Sequence, residues 1–172
     1  MSYIIVKKNK KISNGDSMKE VVERLINLNK TISTMESCTG GSLANSITNI
    51  EGSSEVFKFG AVTYSNEFKI KMGVDKDIID NYSVYSKETS ISMAKTITSY
   101  TNSDYGVGVT GKLNRVDINN PFGENNTVYI CIYEEESDEV YTYDIKVDKE
   151  SRKENKEEVI SLVKEKLLEI IK

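Results

Sequence analysis

The sequence predicts a single α/β domain, a three-layer α/β/α sandwich with a mixed sheet. Short runs rich in β-branched and aromatic residues alternate with segments whose apolar residues recur every three or four positions, a pattern typical of strands separated by helices. Near the end, two such runs are joined only by the charged segment 134–139, which favours an antiparallel hairpin. A chain of 172 residues has the length of one domain. We therefore expect one domain over residues 1–172, with residues 1–15 open to interpretation as a peripheral N-terminal extension.

The first helix is predicted to begin at Asp16, a residue type that commonly caps helices. Apolar residues follow it at helical spacing, namely Met18, Val21, Val22, Leu25 and Leu28. Ahead of this helix, residues 3–6 are consistent with a short strand or a tail, and the polar residues 7–15 with a loop. No motif in this part of the chain points to chemistry.

A strand, a tight turn and a helix are predicted next. Residues 31–35 are rich in β-branched side chains and lead through the turn 37–41 into the helix. Its apolar side comprises Leu43, Ala44, Ile47 and Ile50. The elements that follow are a turn at 51–54, a strand at 56–64 and a helix over 65–72.

The second half of the chain repeats the alternation. Its predicted elements are a helix at 86–100, a buried strand at 105–109, a strand at 127–133, a hairpin turn at 134–139 and a strand at 140–147. A last helix is expected from about Ser151, because apolar residues again recur at helical spacing. They are Val159, Leu162, Val163, Leu167 and Ile170.

Charge and composition exclude several classes of function. The chain has 23 Lys and Arg residues against 27 Asp and Glu residues, so it lacks the positive field that attracts nucleic acid or an anionic membrane. No stretch approaches the roughly 20 apolar residues of a membrane span. Two cysteines do not form a disulfide framework. We expect a cytoplasmic protein with neither a nucleic-acid nor a membrane partner.

The sequence contains no histidine. Ser-His-Asp and Cys-His catalysis and histidine metal sites are therefore excluded, and any catalysis requires another base. A mechanism centred on the thiol of Cys38 lacks the usual histidine partner, and a lone thiol is more often a small buried apolar group.

The segment Glu36-Ser37-Cys38-Thr39-Gly40-Gly41 is the first place where chemistry is expected. A serine in a strand-to-helix turn lies beside unpaired N–H groups that can hold an oxyanion or a phosphate, and glycines allow a ligand to approach closely. The alternative is structural, because Ser37 or Thr39 could simply cap the helix.

A second segment places Tyr64 at the end of a strand and Lys69 in the first turn of the helix that follows. Without histidine, a lysine whose pKa is lowered by desolvation is the natural base for a serine nucleophile, and a tyrosine hydroxyl can relay or orient the proton. The alternative is a surface lysine beside a half-buried strand tyrosine.

These two segments belong to a longer resemblance. Residues 36–41, 51–54 and 60–69, together with 83–88, 107–111 and 127–130, resemble the CinA C-terminal domain family in order and spacing. The likeness covers roughly residues 16–170, and the family includes nicotinamide-nucleotide amidases. It implies a homodimeric hydrolase without metal or organic cofactor, which converts the small-molecule nucleotide nicotinamide mononucleotide into nicotinate mononucleotide and ammonia in pyridine-nucleotide recycling.

The resemblance also implies a role for individual residues. Ser37 is expected to be the nucleophile, Lys69 its base, and Tyr64 the hydroxyl that completes a Ser-Lys-Tyr site. N–H groups near Thr39 to Gly41 are expected to hold the oxyanion, and Arg152 is the candidate cation for the phosphate. Further substrate-binding residues are expected at Thr39, Gly40, Gly41, Ser54, Thr110 and Gly111.

The chain departs from the family after Gly111. The family continues with a Gly-Ile-Ala-Gly-Pro segment and a glycine-rich loop, whereas residues 112–123 read KLNRVDINNPFG. Bulky and charged residues cannot reproduce glycine geometry, so this wall of the pocket must differ. Two outcomes follow: Lys112 and Arg115 supply new cationic contacts to an anionic ligand, or the chain is a nucleotide- or partner-binding module without turnover.

Overall fold

The computed structural model describes residues 17–172 and contains a five-stranded mixed sheet. Its strands are β1 (Ile32–Glu36), β2 (Phe57–Val62), β3 (Tyr105–Gly111), β4 (Thr127–Glu134) and β5 (Glu139–Lys146). Their order across the sheet is β2-β1-β3-β4-β5. β1 runs parallel to β2 and β3, whereas β4 runs antiparallel to β3 and β5. The predicted mixed sheet and its terminal hairpin are confirmed.

Helices cover both faces of this sheet. They are α1 (Ser17–Leu28), α2 (Ser42–Thr48), α3 (Asn66–Lys71), α4 (Lys76–Tyr82), α5 (Lys87–Thr101) and α6 (Arg152–Ile170), with a short 3₁₀ turn at Ser53–Glu55. α1, α2 and α6 pack together on one face, and α5 covers the other with α4 against it. The three-layer prediction is therefore confirmed. Within residues 17–172, none of these helices is long and apolar enough to cross a membrane.

Strand β1 shows how the sequence builds the layers. Successive side chains of a strand point to opposite faces, so Ile32 joins the cluster beneath α1, α2 and α6, while Met35 joins the cluster beneath α4 and α5. Ser33 lies on the α5 side, where its hydroxyl donates to Thr101 Oγ1 at 3.0 Å. Every residue of β1 is buried, as expected of a central strand.

Two glycines of β3 let α5 approach the sheet closely. A Cβ atom on Gly106 would lie 1.9 Å from Thr98 Oγ1, and one on Gly108 would lie 2.2 Å from the carbonyl oxygen of Ser90. The valines between them, Val107 and Val109, point to the opposite face and are fully buried. The alternating Gly-Val-Gly-Val pattern therefore sets the spacing between α5 and the sheet.

The structure differs from the predictions in detail. α4 was not predicted, because its charged seven-residue sequence shows little helical periodicity. Leu28 is 42% exposed because α1 ends there, at the rim of the core. The strand predicted at 56–64 is shorter, since Val56 ends the 3₁₀ turn and Thr63 already leads toward α3. The predictions for residues 1–15 and for the Asp16 cap lie outside the described residues.

Five strand ends lie together at one edge of the sheet, the edge that is formed by the carboxyl ends of its parallel strands. The parallel strands β1, β2 and β3 all end at this edge. Because β4 is antiparallel to them, it begins here and β5 ends here. Five residues separate the end of β5 from the start of α6. Ser37, the segment before α3, the loop after β3 and Arg152 therefore meet at this edge.

Candidate active site

Ser37 lies directly after β1, at the rim of a cavity of about 640 Å³. Its N–H donates to the carbonyl oxygen of Val109 at 3.0 Å, which fixes the turn against β3. Its side chain is 5% exposed. The cavity is lined by the residues after β1 and β2, by Val84 and Tyr85, by the loop after β3 and by Arg152. Ser37 is thus accessible only through this cavity.

Lys69 is almost completely buried beside Ser37. Its Nζ lies 3.0 Å from Ser37 Oγ and 2.6 Å from the carbonyl oxygen of Thr63, and its side chain is 1% exposed. Ser65 places it there by capping α3, with its hydroxyl accepting from Phe68 N–H. Burial disfavours the charged ammonium and lowers the pKa of Lys69 to about 8. The amine can therefore accept a proton near neutral pH.

Tyr64 lines the cavity but makes no hydrogen bond with Ser37 or Lys69. Its side chain is 63% exposed, and its hydroxyl oxygen accepts from Arg152 Nη2 at 3.3 Å. Arg152 Nη1 donates to the carbonyl oxygen of Leu113. The cavity is therefore lined by two contacting pairs, Ser37 with Lys69 and Tyr64 with Arg152.

The glycines of the turn do not offer free N–H groups to a ligand. Gly40 N–H donates to Ser37 O at 3.0 Å, and Gly41 N–H donates to Glu36 Oε2 at 3.1 Å. The positive φ angles of these glycines, 62° and 90°, are instead what the tight turn requires. Within the described part of the chain, the N–H groups of Cys38 and Thr39 donate no hydrogen bond. The N–H groups available to a ligand therefore lie at the start of the turn and not at its glycines.

Glu36 is a site residue that the sequence reasoning missed. Its fully buried carboxylate accepts the N–H groups of Gly41, Leu43 and Ala44 at 2.8–3.1 Å. Glu36, rather than Ser37 or Thr39, therefore accepts hydrogen bonds from the free backbone N–H groups at the start of α2. The alternative that Ser37 or Thr39 caps this helix is wrong, because the Ser37 hydroxyl contacts Lys69 and the Thr39 hydroxyl is buried without a hydrogen-bond partner in the described part of the chain. The sequence does contain a signal for this role, namely an acidic residue shortly before the Gly-Gly turn.

Ser54 is displaced from the site, which corrects the expectation for it. Ser54 lies in the 3₁₀ turn before β2, whereas Ser37 lies beyond the opposite end of the paired strands. The length of β2 separates them by roughly 15–20 Å. The expectation that Ser54 lies beside Ser37 is therefore wrong, because the whole of β2 lies between the two positions.

Thr110 and Gly111 serve the packing of β3. The Thr110 hydroxyl is buried and donates to Val84 O at 2.8 Å, so it anchors the segment before α5 and does not line the cavity. Gly111 does line the cavity. A Cβ atom there would lie 2.5 Å from the carbonyl oxygen of Thr127, which explains the glycine by its contact with β4.

The loop over residues 112–123 is an ordered wall of the cavity. Lys112 is 3% exposed, and its ammonium group donates to the carbonyl oxygens of Pro121 and Gly123 at 3.3 and 3.1 Å. The expectation that Lys112 contacts an anionic ligand is corrected, because these carbonyls occupy it. Its Nζ also lies 5.1 Å from the centre of the Tyr85 ring.

A chain of side-chain hydrogen bonds ties this loop to its neighbours. Tyr85 OH donates to Asp117 Oδ2 at 2.5 Å, and Asn120 Nδ2 donates to the same oxygen at 2.8 Å. Asn66 Nδ2, at the start of α3, donates to Asn120 Oδ1 at 2.8 Å. The loop is thereby connected to the helix that carries Lys69. Burial, followed by the bond to Asp117, raises the pKa of Tyr85 above its usual range, so its hydroxyl stays a donor.

Cys38 lines the cavity beside Ser37 but is 4% exposed. Desolvation raises the pKa of its thiol to about 12, which keeps the nucleophilic thiolate unpopulated at neutral pH. This agrees with the interpretation of Cys38 as a small buried group.

Comparison with known proteins places the chain in a family. Residues 14–171 match the model of the CinA C-terminal domain. A CinA-like protein of Endomicrobium trichonymphae is 46% identical over 99 residues, which are 56% of this chain and 23% of that protein. One from Kosmotoga olearia is 43% identical over 98 residues, covering 56% and 24%. The chain matches about a quarter of the length of these relatives.

Solved structures show the same fold over nearly the whole chain. The competence/damage inducible protein CihA of Agrobacterium tumefaciens has a TM-score of 0.79 at 26% identity, covering 95% of this chain and 100% of that one. A CinA superfamily protein of Klebsiella pneumoniae has a TM-score of 0.83 at 19% identity, covering 91% and 96%. The match to the family model spans nearly all of the residues described here, and the chain therefore belongs to the CinA C-terminal domain family.

Proposed function

We propose that this chain is an amidohydrolase that converts nicotinamide mononucleotide into nicotinate mononucleotide and ammonia. The observation that carries this proposal is the 3.0 Å contact between the hydroxyl of Ser37 and the buried amine of Lys69. A serine paired with a lysine whose pKa lies near 8 is a nucleophile with its own base. Family membership supports the substrate class through the resemblance to nicotinamide-nucleotide amidases.

The first half-reaction uses Lys69 as base and then as acid. The neutral amine takes the proton of Ser37 Oγ–H as Oγ attacks the carboxamide carbon, so the carbonyl oxygen becomes an oxyanion. The N–H groups of Cys38 and Thr39 directly follow Ser37 in the chain and donate no hydrogen bond within residues 17–172; in this mechanism they hold that oxyanion. The Lys69 ammonium returns the proton to the amide nitrogen, the C–N bond breaks, and ammonia leaves.

The second half-reaction removes the acyl group from Ser37. Lys69, again neutral, takes a proton from water as the water oxygen attacks the ester carbon. The C–O bond to Ser37 Oγ then breaks, and Oγ regains the proton from Lys69. Arg152 binds the nucleotide phosphate, because its guanidinium is fixed at the cavity wall by Leu113 O and Tyr64 OH.

Ammonia release tests this proposal. The purified chain is incubated with nicotinamide mononucleotide about one pH unit above the pKa of Lys69, beside Ser37→Ala, Lys69→Met and Lys71→Met. Lys71 is the matched control, since it lies two residues along the same helix, is exposed and pairs with Glu67. We expect release from the unmutated chain and Lys71→Met, and a loss of about 1000-fold or more in the other two.

A second candidate function is a nucleotide-binding module without turnover. The position of Tyr64 favours it, because its hydroxyl contacts Arg152 rather than Ser37 or Lys69. A folded sample that is stabilised by nicotinamide mononucleotide but releases no ammonia would establish this candidate. Release of ammonia that depends on Ser37 would eliminate it.

A further inference from the structure

The cavity carries more cationic than anionic side chains. Four lysines and arginines line it, namely Lys69, Lys112, Arg115 and Arg152, against a single carboxylate, that of Asp117. Lys69 is hydrogen-bonded to Ser37 and Thr63, and Lys112 is hydrogen-bonded to two carbonyl oxygens of its own loop. The two guanidinium groups remain as the cations that can meet a ligand.

Arg115 is exposed and makes no hydrogen bond or ion pair with any residue in the range 17–172. The acid closest to it in sequence, Asp117, does not neutralise it. One oxygen of that carboxylate accepts from Tyr85 OH and Asn120 Nδ2, and the other accepts from Asn119 N–H. The hydrogen bond from Tyr85 comes first among the contacts that lower the pKa of Asp117, so it stays a hydrogen-bonded carboxylate beside an uncompensated guanidinium.

The loop presents Arg115 in a defined position relative to Arg152. Arg152 donates to Leu113 O, two residues before Arg115, so the two arginine-bearing segments are joined at the cavity wall. The bonds from Lys112 to the far end of the loop and from Asn66 to Asn120 hold the same segment. Fixing the backbone in advance reduces the entropy lost when a ligand binds.

We propose that Arg115 is a specificity-determining residue that binds a phosphomonoester dianion together with Arg152. The inference rests on the proposed function and refines it: the site selects a nucleotide over the corresponding nucleoside. Two guanidinium groups can share the three outer oxygens of one phosphate, with hydrogen bonds that a lone cation cannot supply. The loop sequence that departs from the family thereby becomes the source of phosphate recognition.

Kinetics with two substrates test the residue in the reaction. Amidase rates are measured with nicotinamide mononucleotide and with nicotinamide riboside for the unmutated chain, Arg115→Ala, Arg115→Lys and Lys153→Ala. We expect Arg115→Ala to raise KM for the mononucleotide roughly 5- to 10-fold with little change in kcat. KM for the riboside should stay unchanged, and Arg115→Lys should recover part of the loss. Lys153 is the control, because it is an exposed lysine of α6 whose ion-pair partner within residues 17–172 is Glu157.

Binding of inorganic phosphate tests the residue without turnover. Calorimetric titration should show phosphate binding that weakens several-fold in Arg115→Ala and stays unchanged in Lys153→Ala. That result supports the inference even if no amidase activity is found. In that case the proposed reaction is wrong, and the assignment of Arg115 to phosphate binding stands. The inference is overturned if Arg115→Ala leaves both the phosphate affinity and the mononucleotide KM unchanged, or if the unmutated chain binds no phosphate. That outcome would not contradict the proposed amidase activity, which ammonia release tests separately.

Discussion

Lys69 is a lysine that the fold keeps away from water, and its burial sets both its basicity and its effect on stability. The surrounding protein cannot solvate an ammonium group as water does, so the neutral amine is favoured. The Ser37 hydroxyl and the Thr63 carbonyl lie within hydrogen-bond distance. In the proposed mechanism, a base of this kind replaces the histidine that the chain lacks.

The first prediction concerns pH. Because the amine is the active form and the pKa of Lys69 is about 8, kcat/KM should rise about tenfold per pH unit below that value and level off above it. The measurement is kcat/KM for nicotinamide mononucleotide across this range. A profile that continues to rise toward pH 10.5, the ordinary pKa of lysine, would contradict the lowered pKa of Lys69.

The second prediction is that Lys69→Met stabilises the fold while removing activity. The folded-state pKa, about 8, is below the ordinary 10.5, so between these values the unfolded chain binds more protons and the free energy of unfolding rises with pH. Below pH 8 the full cost of burying the amine applies. We expect the variant to be roughly 1 to 3 kcal/mol more stable at neutral pH. Urea unfolding measures this difference, which should shrink as the pH rises from 8 to 10.5; a constant difference would contradict it.

The residue scale also shows which parts of the site could be predicted. The contact between Ser37 and Lys69 could be anticipated because the family motif names both residues and because catalysis in a histidine-free chain needs another base. Glu36 and Ser54 were not assigned correctly. Hydrogen bonds to N–H groups five to eight residues away, and the side of the sheet on which a turn lies, depend on how the backbone folds in space.

At the scale of elements, the contact between α5 and β3 has no free space. The Cβ of an alanine at position 108 would lie 2.2 Å from Ser90 O and 2.7 Å from Ala94 N, and backbone atoms cannot move aside as a flexible side chain can. Gly108→Ala should therefore displace α5 and destabilise the fold by about 2 to 4 kcal/mol.

Chemical unfolding of Gly108→Ala checks this third prediction. Ser99→Ala is the control, since Ser99 is exposed on the same helix and alanine favours helices. It should change the free energy of unfolding by less than about 0.5 kcal/mol. A Gly108→Ala variant as stable as the control would show that α5 does not pack as described.

Elements were predictable where periodicity is strong. α1 and α6 have clear apolar stripes, and the five strands have β-branched or aromatic runs. The loop over residues 112–123 was not predictable in this way. Its order comes from Lys112, Asp117 and Asn120, whose partners include Tyr85 and Asn66. A sequence shows that such residues are polar, but not which partners they find.

At the scale of the whole molecule, we propose that the chain forms a homodimer, as its family resemblance implies. Strand β2 is an edge of the sheet, and edge strands tend to pair or to be covered. Phe59 on this strand is 39% exposed and lies 5.7 Å from the ring of Tyr100, which is 64% exposed. These two rings are the apolar surface that we expect a second copy to cover.

The fourth prediction is that light scattering coupled to size exclusion gives twice the mass of one chain. Phe59→Glu should shift the protein toward the monomer, because a carboxylate buried at an interface is costly. Val140→Glu, on the opposite edge strand β5, should leave the mass unchanged. A monomeric unmutated chain, or a Phe59→Glu variant that remains dimeric, would contradict this surface.

The general architecture followed from the sequence, since alternating strands and helices with a terminal hairpin allow few arrangements. The strand order was not deduced. It depends on the pairing of β1 with β2 on one side and with β3 on the other, which joins segments far apart in the chain and leaves no local signal in the sequence.

Because of the position of β2, the sheet supports Ser37 and Lys69, the proposed catalytic pair, unequally. Ser37 extends from β1, which is held by a strand on each side, whereas Lys69 and Thr63 follow β2, which pairs with β1 alone among residues 17–172. Edges of a sheet open locally at lower free energy than its centre. In the monomeric Phe59→Glu variant, where no second copy covers β2, hydrogen exchange should therefore show faster amide exchange in β2 than in β1. During mild denaturation the amine should separate from the hydroxyl, and activity should vanish, before the sheet as a whole loses its structure.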